Sequence, residues 1–256
     1  MSCVDLASFG AGRSRAFLSS RVAQAQPHPR IAIVVGMKAE GRIANVSHDL
    51  TIVGGGSASQ VEVGLSRAMH EAKSQGRPLQ GVLSFGVAGG LAAHLRPGDI
   101  VLPNAVHFDG EAYSCHKGWV RSLVRSLPHA HSGALLGADE PIGTSDDKRR
   151  LHHAHDALAV DMESHGAARF AQSRGLPFAA LRAIADPQHR TLPAAALVGM
   201  KADGTADIKA VLAALARSPA QLRGLIQTAF DARAGMAALL GSRRLLGAFF
   251  GFEDFV

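Results

Sequence analysis

Ala159-Val160-Asp161-Met162-Glu163-Ser164-His165-Gly166 decides the fold, together with the later segment Arg182-Ala183-Ile184-Ala185-Asp186. The first segment predicts a buried strand that runs into a helix, and the second predicts the end of the next strand. A third acid, Glu40, follows the short apolar run Ile31-Ala32-Ile33-Val34-Val35. Ligands bind at the carboxyl edge of the sheet in open α/β folds. The sequence therefore predicts that acids from three strand ends face one pocket.

The composition limits the class of protein. The 256-residue chain is 47% hydrophobic, which is enough for a sizeable core. It has no run of about 18 apolar residues, so no transmembrane helix is predicted. Cys3 and Cys115 are too few for a disulfide framework and favour a reducing compartment. We predict a cytoplasmic protein, with the inner face of the membrane as a second location. The net charge of +6 comes without a dense Lys/Arg block, so no nucleic-acid partner is predicted.

The chain divides at about residue 30. Residues 1–29 are rich in arginine and serine and poor in acids, and we predict a loose N-terminal extension there. Strands and helices alternate over residues 30–256, which predicts a single α/β domain. Four of the eleven phenylalanines lie in the last eight residues. We favour a tail that packs on its own core or on a partner subunit. The alternative is an apolar lip for a lipidic substrate.

The thirteen histidines raise the question of a metal site. His152, His153 and His155 lie on a predicted polar helix, and adjacent histidines on a helix do not share a face. We therefore predict a solvated helix face and no metal.

Five motifs, taken in order, resemble those of the nucleoside phosphorylase and methylthioadenosine/S-adenosylhomocysteine nucleosidase superfamily. The resemblance runs from about Arg30 to about Arg190, and it implies a three-layer α/β sandwich with a central mixed sheet flanked by helices. Within the superfamily, the segments Gly36–Glu40 and Asp186–Pro193 resemble most the hopanoid-associated phosphorylase branch, which acts on adenosylhopane. The motifs are Gly36–Glu40, Phe85–Leu91, Arg96–Val101, Val160–Glu163 and Arg182–Asp186.

The resemblance implies a role for each matching residue. Asp186 matches the general acid that donates a proton toward N7 of the purine. Glu163 matches the acid that holds the ribose hydroxyls, and we expect it to stay ionised. Met162 matches the apolar residue beneath the sugar, and Glu40 matches the residue that holds the attacking water. These residue types suit the chemistry, because cleavage of an N-ribosidic bond needs both a protonated leaving base and a stabilised cation-like sugar.

Other positions are predicted to bind the substrate through the backbone. Val87, Ala88 and Gly89 allow the chain to approach a ligand closely, and groups near Ile142 are expected to recognise the base.

The predicted phosphate site departs from the family pattern. Val87 replaces a common serine or threonine, and Ser84 replaces an arginine of the hexameric phosphorylases. Arg42 is predicted to supply the missing positive charge. The glycine loops at Gly36 and Gly56 are predicted to offer N–H groups to phosphate.

The resemblance implies an enzyme that cleaves the purine N-ribosidic bond of a 5′-substituted adenosine, releasing adenine from adenosylhopane in hopanoid synthesis. A 5′-methylthioadenosine/S-adenosylhomocysteine nucleosidase is the alternative, and a non-catalytic nucleoside-binding module is the third hypothesis. We predict no cofactor, with phosphate left open as a co-substrate. The expected partners are a small nucleoside, lipidic in the hopanoid case, a second copy of the chain and the membrane surface.

Overall fold

The structure is a computed structural model, and it describes residues 30–44, 50–197, 205 and 207–254. The predicted N-terminal extension lies outside these residues. The described strands are β1 (Ile31–Val35), β2 (Leu50–Val53), β3 (Gly81–Gly90), β4 (Ile100–Phe108), β5 (Glu111–Ser114), β6 (His131–Gly137), β7 (Ala157–Asp161) and β8 (Phe178–Asp186). The described helices are α1 (Lys38–Ala44), α2 (Ala58–Ser74), α3 (Lys117–Ser126), α4 (Ser145–His155), α5 (Ser164–Ser173), α6 (Ala194–Leu197), α7 (Ile208–Arg217) and α8 (Leu222–Leu245). A 3₁₀ turn at Pro219–Gln221 precedes α8.

The strands form one mixed sheet. Its order is β2-β1-β3-β7-β6-β4-β5, and β8 pairs with both β3 and β4. The pairs β1–β3 and β3–β8 are parallel, whereas β3–β7 and β4–β8 are antiparallel. The strands β3, β8, β4, β6 and β7 therefore pair in a closed circuit. Gly89 pairs with Val160 and with Asp186, so the ends of β3, β7 and β8 meet at one place.

Two apolar clusters cover the two faces of the sheet. One contains Val61 and Leu65 of α2 and Ala167 of α5. The other contains Trp119 of α3 and Leu239 of α8. Helices thus flank a central mixed sheet, which confirms the predicted fold class.

The C-terminal tail belongs to the core. Phe249, Phe250 and Phe252 are buried, and the indole N–H of Trp119 donates to the carbonyl of Phe250 at 2.8 Å. The Phe250 ring also packs edge-on against Phe85, with 5.4 Å between ring centroids. The prediction that the tail packs on its own core is confirmed for these three residues. The alternative of an apolar lip is wrong for them, because their rings are already enclosed.

No helix in the described part of the chain has both the length and the apolar character needed to cross a bilayer.

Candidate active site

A cavity of about 380 Å³ lies where strands β1, β3, β7 and β8 end. Nine residues predicted from the sequence line it together: Gly36, Glu40, Val87, Ala88, Gly89, Ile142, Met162, Glu163 and Asp186. The lining also includes residues that the sequence did not single out for binding: Met37, Glu140, Pro141, Val160, Asp161, Leu192, Ala196, Leu197 and Thr205. A volume of this size is within the usual range for small-molecule sites.

The three residues predicted to bind phosphate are placed differently. The Gly36 N–H donates to Glu40 at 2.9 Å, and the Gly56 N–H donates to Glu163 at 2.9 Å. Arg42 is exposed and is not among the residues that line the cavity. Glu40 and Arg42 are two residues apart on α1, which places them about 200° apart around the helix axis. The structure therefore gives the predicted phosphate site no support.

Glu40 is fixed by the backbone of two chain segments. Its Oε2 accepts from the N–H groups of Gly36 and Met37, and its Oε1 accepts from the N–H of Val87 at 2.8 Å. Burial raises the pKa of Glu40 above its ordinary value, although these hydrogen bonds and the Arg182 guanidinium oppose the rise. The carboxylate is thus held in one orientation beside the cavity.

Arg182 forms a buried charge network behind the cavity. Its guanidinium pairs with Asp161 and donates to the hydroxyls of Ser84 at 2.6 Å and Ser164 at 3.0 Å. Ser164 in turn donates to Asp161 at 2.6 Å. Ser84 is therefore a structural partner of Arg182. Sequence reasoning gave Arg182 no role, although an arginine inside an apolar strand is itself a signal of a buried partner.

Glu163 has a strongly raised pKa. Burial first, and then the neighbouring carboxylates of Asp161 and Glu40, raise the pKa of Glu163 to about 8. Arg182 and the N–H of Gly56 oppose this shift. We expected an ionised Glu163, whereas its raised pKa favours the protonated carboxyl near neutral pH. Burial is the largest cause of this rise, and Arg182, which is already paired with Asp161, opposes it only in part.

Asp186 lies at the end of β8 and pairs with the buried ammonium of Lys148. Burial raises the pKa of Asp186, and the charge of Lys148 opposes the rise. Sequence reasoning missed Lys148, which lies on the polar helix α4. Its sequence context gives no signal, because charged residues surround it on both sides.

The histidines on α4 do not gather around a cavity. His152 bonds to the carbonyl of Ala157 at 2.9 Å, and His153 and His155 are exposed. Within the described ranges, no group of three or more His, Cys, Asp or Glu side chains is arranged to hold a metal ion.

A mixed sheet between helices, with a cavity lined by carboxylates at the strand ends, defines an α/β enzyme that acts on a small molecule. The sequence model of the phosphorylase superfamily matches residues 22–229. The chain therefore belongs to the phosphorylase superfamily and is an enzyme of nucleoside phosphorylase or nucleosidase type.

Solved nucleosidases share the fold. S-adenosylhomocysteine nucleosidase from Streptococcus pyogenes, in complex with 5-methylthiotubericidin, is 16% identical with a TM-score of 0.58 and covers 85% of this chain and 97% of its own. The 5′-methylthioadenosine/S-adenosylhomocysteine nucleosidase from S. pneumoniae, with a transition-state inhibitor, is 14% identical with a TM-score of 0.58. The match covers 85% of this chain and 99% of the S. pneumoniae chain. The enzyme from Colwellia psychrerythraea, in complex with adenine, is 15% identical with a TM-score of 0.57. The match covers 85% of this chain and 96% of the C. psychrerythraea chain.

The close packing around Glu40 gives a first prediction. A Cβ atom at Gly86 would lie 2.8 Å from Glu40 Oε1 and 2.9 Å from Arg182 Nη1. We expect Gly86→Ala to lower the free energy of unfolding by about 1–3 kcal/mol in urea denaturation, because two buried charged groups must move apart.

The matched control is Gly241→Ala on α8, where an added Cβ meets nothing within 4 Å. It should be neutral or raise the free energy of unfolding by up to about 1 kcal/mol. Equal effects of the two substitutions would contradict the crowding at Gly86.

The raised pKa of Glu163 predicts a pH-dependent stability. The folded protein holds this proton more tightly than the unfolded chain, so wild type loses stability as pH rises from about 4.5 to about 8. Glu163→Gln mimics the protonated acid and does not titrate. The difference in melting temperature, variant minus wild type, should therefore increase over this interval and level off above it.

Thermal melts followed by circular dichroism measure this difference. The exposed Glu111→Gln corrects for the generic loss of one acid. A difference that is constant across the interval would show that folding leaves the proton affinity of Glu163 unchanged.

Proposed function

We propose that the protein hydrolyses the N-ribosidic bond of a 5′-substituted adenosine and releases adenine. The observation that carries this proposal is the convergence of Glu40, Glu163 and Asp186, from three separate segments, on one cavity. Membership of the phosphorylase superfamily supports it. The ligands of two fold relatives, 5-methylthiotubericidin and adenine, support it as well.

The arrangement assigns a task to each acid. Asp186, which lies beside Gly89, donates a proton toward N7 as the bond to the sugar breaks. Glu163 binds the ribose hydroxyls. A positive charge on the sugar lowers the pKa of Glu163, so its carboxyl gives its proton to water, and the resulting anion stabilises the transition state. Met162 packs against the sugar.

Water is favoured over phosphate as the nucleophile. The charged side chains that line the described part of the cavity are all acidic: Glu40, Glu140, Asp161, Glu163 and Asp186. A phosphate dianion would be repelled there, whereas a neutral water is not. Glu40 is the base that orients this water. Arg182 Nη1 lies beside it near Gly86 and has no hydrogen-bond partner among the described residues, so a water between the two groups would satisfy both.

The 5′ substituent is proposed to be lipidic. Leu192, Ala196 and Leu197 form an apolar part of the cavity wall, and Leu197 is also exposed at the surface. This opening suits adenosylhopane, the substrate of the branch that the motifs resemble. The small 5′-methylthio group is the alternative, and the names of the fold relatives favour it.

Exposed apolar side chains continue from this opening. Helix α6, which carries Leu197, is bonded to the turn before α8, because the Ala195 N–H donates to Gln221 at 3.0 Å. We define the apolar face as the exposed side chains of α7 and α8 that follow: Ile208, Leu212, Leu222, Ile226 and Phe230.

Exposed cations lie on the same two helices: Lys209, Arg217, Arg223 and Arg233. Apolar side chains bordered by cations suit an anionic bilayer surface. The proposal therefore places the enzyme at the inner face of the membrane, where it would take up a lipid nucleoside.

Adenine release tests the proposed reaction. Wild type should release adenine from adenosylhopane whether or not phosphate is present, and Asp186→Asn should lower kcat by about 100-fold or more, because the proton donor is lost. Liquid chromatography measures adenine and the sugar product. Asp109→Asn is the control, since it changes an exposed turn acid whose positive φ suits asparagine.

The other products separate the alternatives. A sugar 1-phosphate formed only with phosphate would contradict hydrolysis and make the enzyme a phosphorylase. Turnover of 5′-methylthioadenosine but not of adenosylhopane would overturn the lipidic substrate. Adenine binding without release from either nucleoside would favour a non-catalytic binding module.

Vesicle sedimentation tests the apolar face. Wild type should sediment with phosphatidylglycerol vesicles, and the double variant Ile226→Ser/Phe230→Ser should bind at least about tenfold more weakly, because two exposed apolar side chains are lost. Val63→Ser is the matched control, since Val63 is 61% exposed on α2.

Two outcomes would contradict the membrane contact. Equal sedimentation of all three proteins is the first. The second is a wild-type dimer and a monomeric double variant in gel filtration without vesicles, which would assign the face to contacts between copies of the chain.

A further inference from the structure

Lys148 is a fully buried cation on a helix whose other residues are not buried. Its ammonium pairs with the carboxylate of Asp186. It also donates to the carbonyls of Asp186 at 3.5 Å, Pro187 at 3.3 Å and Arg190 at 3.0 Å. The segment that follows β8 thus wraps around one side chain of α4.

These contacts favour the charged form of Lys148. A buried ammonium is costly unless its N–H groups are bonded and its charge is paired. Here every partner is an oxygen acceptor, so all three N–H groups of the ammonium have acceptors. A neutral amine would instead turn its lone pair toward one of these oxygens. The contacts therefore describe an ion pair of the Lys148 ammonium with the Asp186 carboxylate.

Other charges near Asp186 are largely balanced. Asp231, on α8, raises the pKa of Asp186, but it is itself paired with Arg190 at 2.7 Å. Among the described neighbours, Lys148 is the cation that opposes protonation of Asp186. The charge on Lys148 consequently decides how readily Asp186 takes and gives a proton.

We propose that Lys148 positions Asp186 and supplies the proton that Asp186 passes to the departing base. The inference rests on the proposed function. As the bond between C1′ and the purine nitrogen breaks, its electron pair enters the purine and makes N7 more basic. An N–H bond of Lys148 breaks as an O–H bond forms on the Asp186 carboxylate. That O–H bond breaks in turn as the N7–H bond forms, so Asp186 ends as a carboxylate. Lys148 is left as a neutral amine and recovers its proton from water after adenine leaves.

The first test needs no catalysis. Carbon-13 NMR of the Asp186 carboxyl, assigned with Asp186→Asn, should show a higher pKa for Asp186 in Lys148→Met than in wild type. Arg149→Met is the matched control, because Arg149 is the next residue on α4 and pairs with the exposed Asp146. An unchanged pKa in Lys148→Met would overturn the inference.

The second test compares leaving groups. Lys148→Met should release adenine about 100-fold more slowly than wild type, yet release 4-nitrophenolate from 4-nitrophenyl β-D-ribofuranoside less than about threefold more slowly. Nitrophenolate leaves without a proton, so the proton supply does not limit it. Equal losses on both substrates would reduce Lys148 to a structural role and overturn the proposal.

Lys148→Arg separates positioning from proton supply, and it serves if the methionine variant fails to fold. Arginine keeps the charge but does not give up its proton in proteins. We expect a pKa of Asp186 close to that of wild type together with slow adenine release. Restored adenine release would show that the proton does not come from Lys148. Absence of adenine release from wild type itself would overturn the proposed function, while the NMR titration would still decide whether the pair exists.

Discussion

The ion pair between Arg182 and Asp161 is the interaction on which the site depends. Both side chains are buried, and the hydroxyls of Ser84 and Ser164 add hydrogen bonds to the pair. Removing one partner of a buried pair of this kind is strongly destabilising, because the other charge is left unpaired. Because Arg182 is committed to Asp161, it can offset the charges of Glu40 and Glu163 only in part. Burial therefore raises the pKa values of both carboxyls, and Arg182 opposes the rise only in part.

The backbone makes room for this network. A Cβ at Gly36 would lie 2.7 Å from Glu163, and one at Gly54 would lie 2.9 Å from the same side chain. Strand ends can thus approach the carboxylates closely enough for their N–H groups to act as donors. The N–H groups that a phosphate-binding loop would present to a ligand are turned to the protein's own acids instead. The same geometry that fixes the acids thereby occupies the N–H groups of Gly36 and Gly56.

The sequence predicted most of the cavity but little of its charge balance. Acids after apolar, β-branched runs placed Glu40 and Asp186 correctly, because strand direction alone brings such residues to one edge. Arg42 does not line the cavity with Glu40, since two residues of separation turn a helical side chain to another face. Lys148 could not be found from its neighbours on α4. Its burial depends on how residues after β8 fold back over that helix, which is a tertiary contact between positions about forty residues apart in sequence.

The two acids that would act on the substrate lie in opposite electrostatic surroundings. Asp186 faces an ammonium, whereas Glu163 faces two further carboxylates and an arginine already paired. Contrasting surroundings of this kind push proton affinities apart and assign acid and base roles. These surroundings favour a proton on Glu163 and a negative charge on Asp186, which is the reverse of what bond cleavage requires. A cation-like sugar beside Glu163 would favour its ionised form. An electron-rich purine beside Asp186 would favour its protonated form. The reaction itself thus supplies the charges that switch the site into its active protonation state.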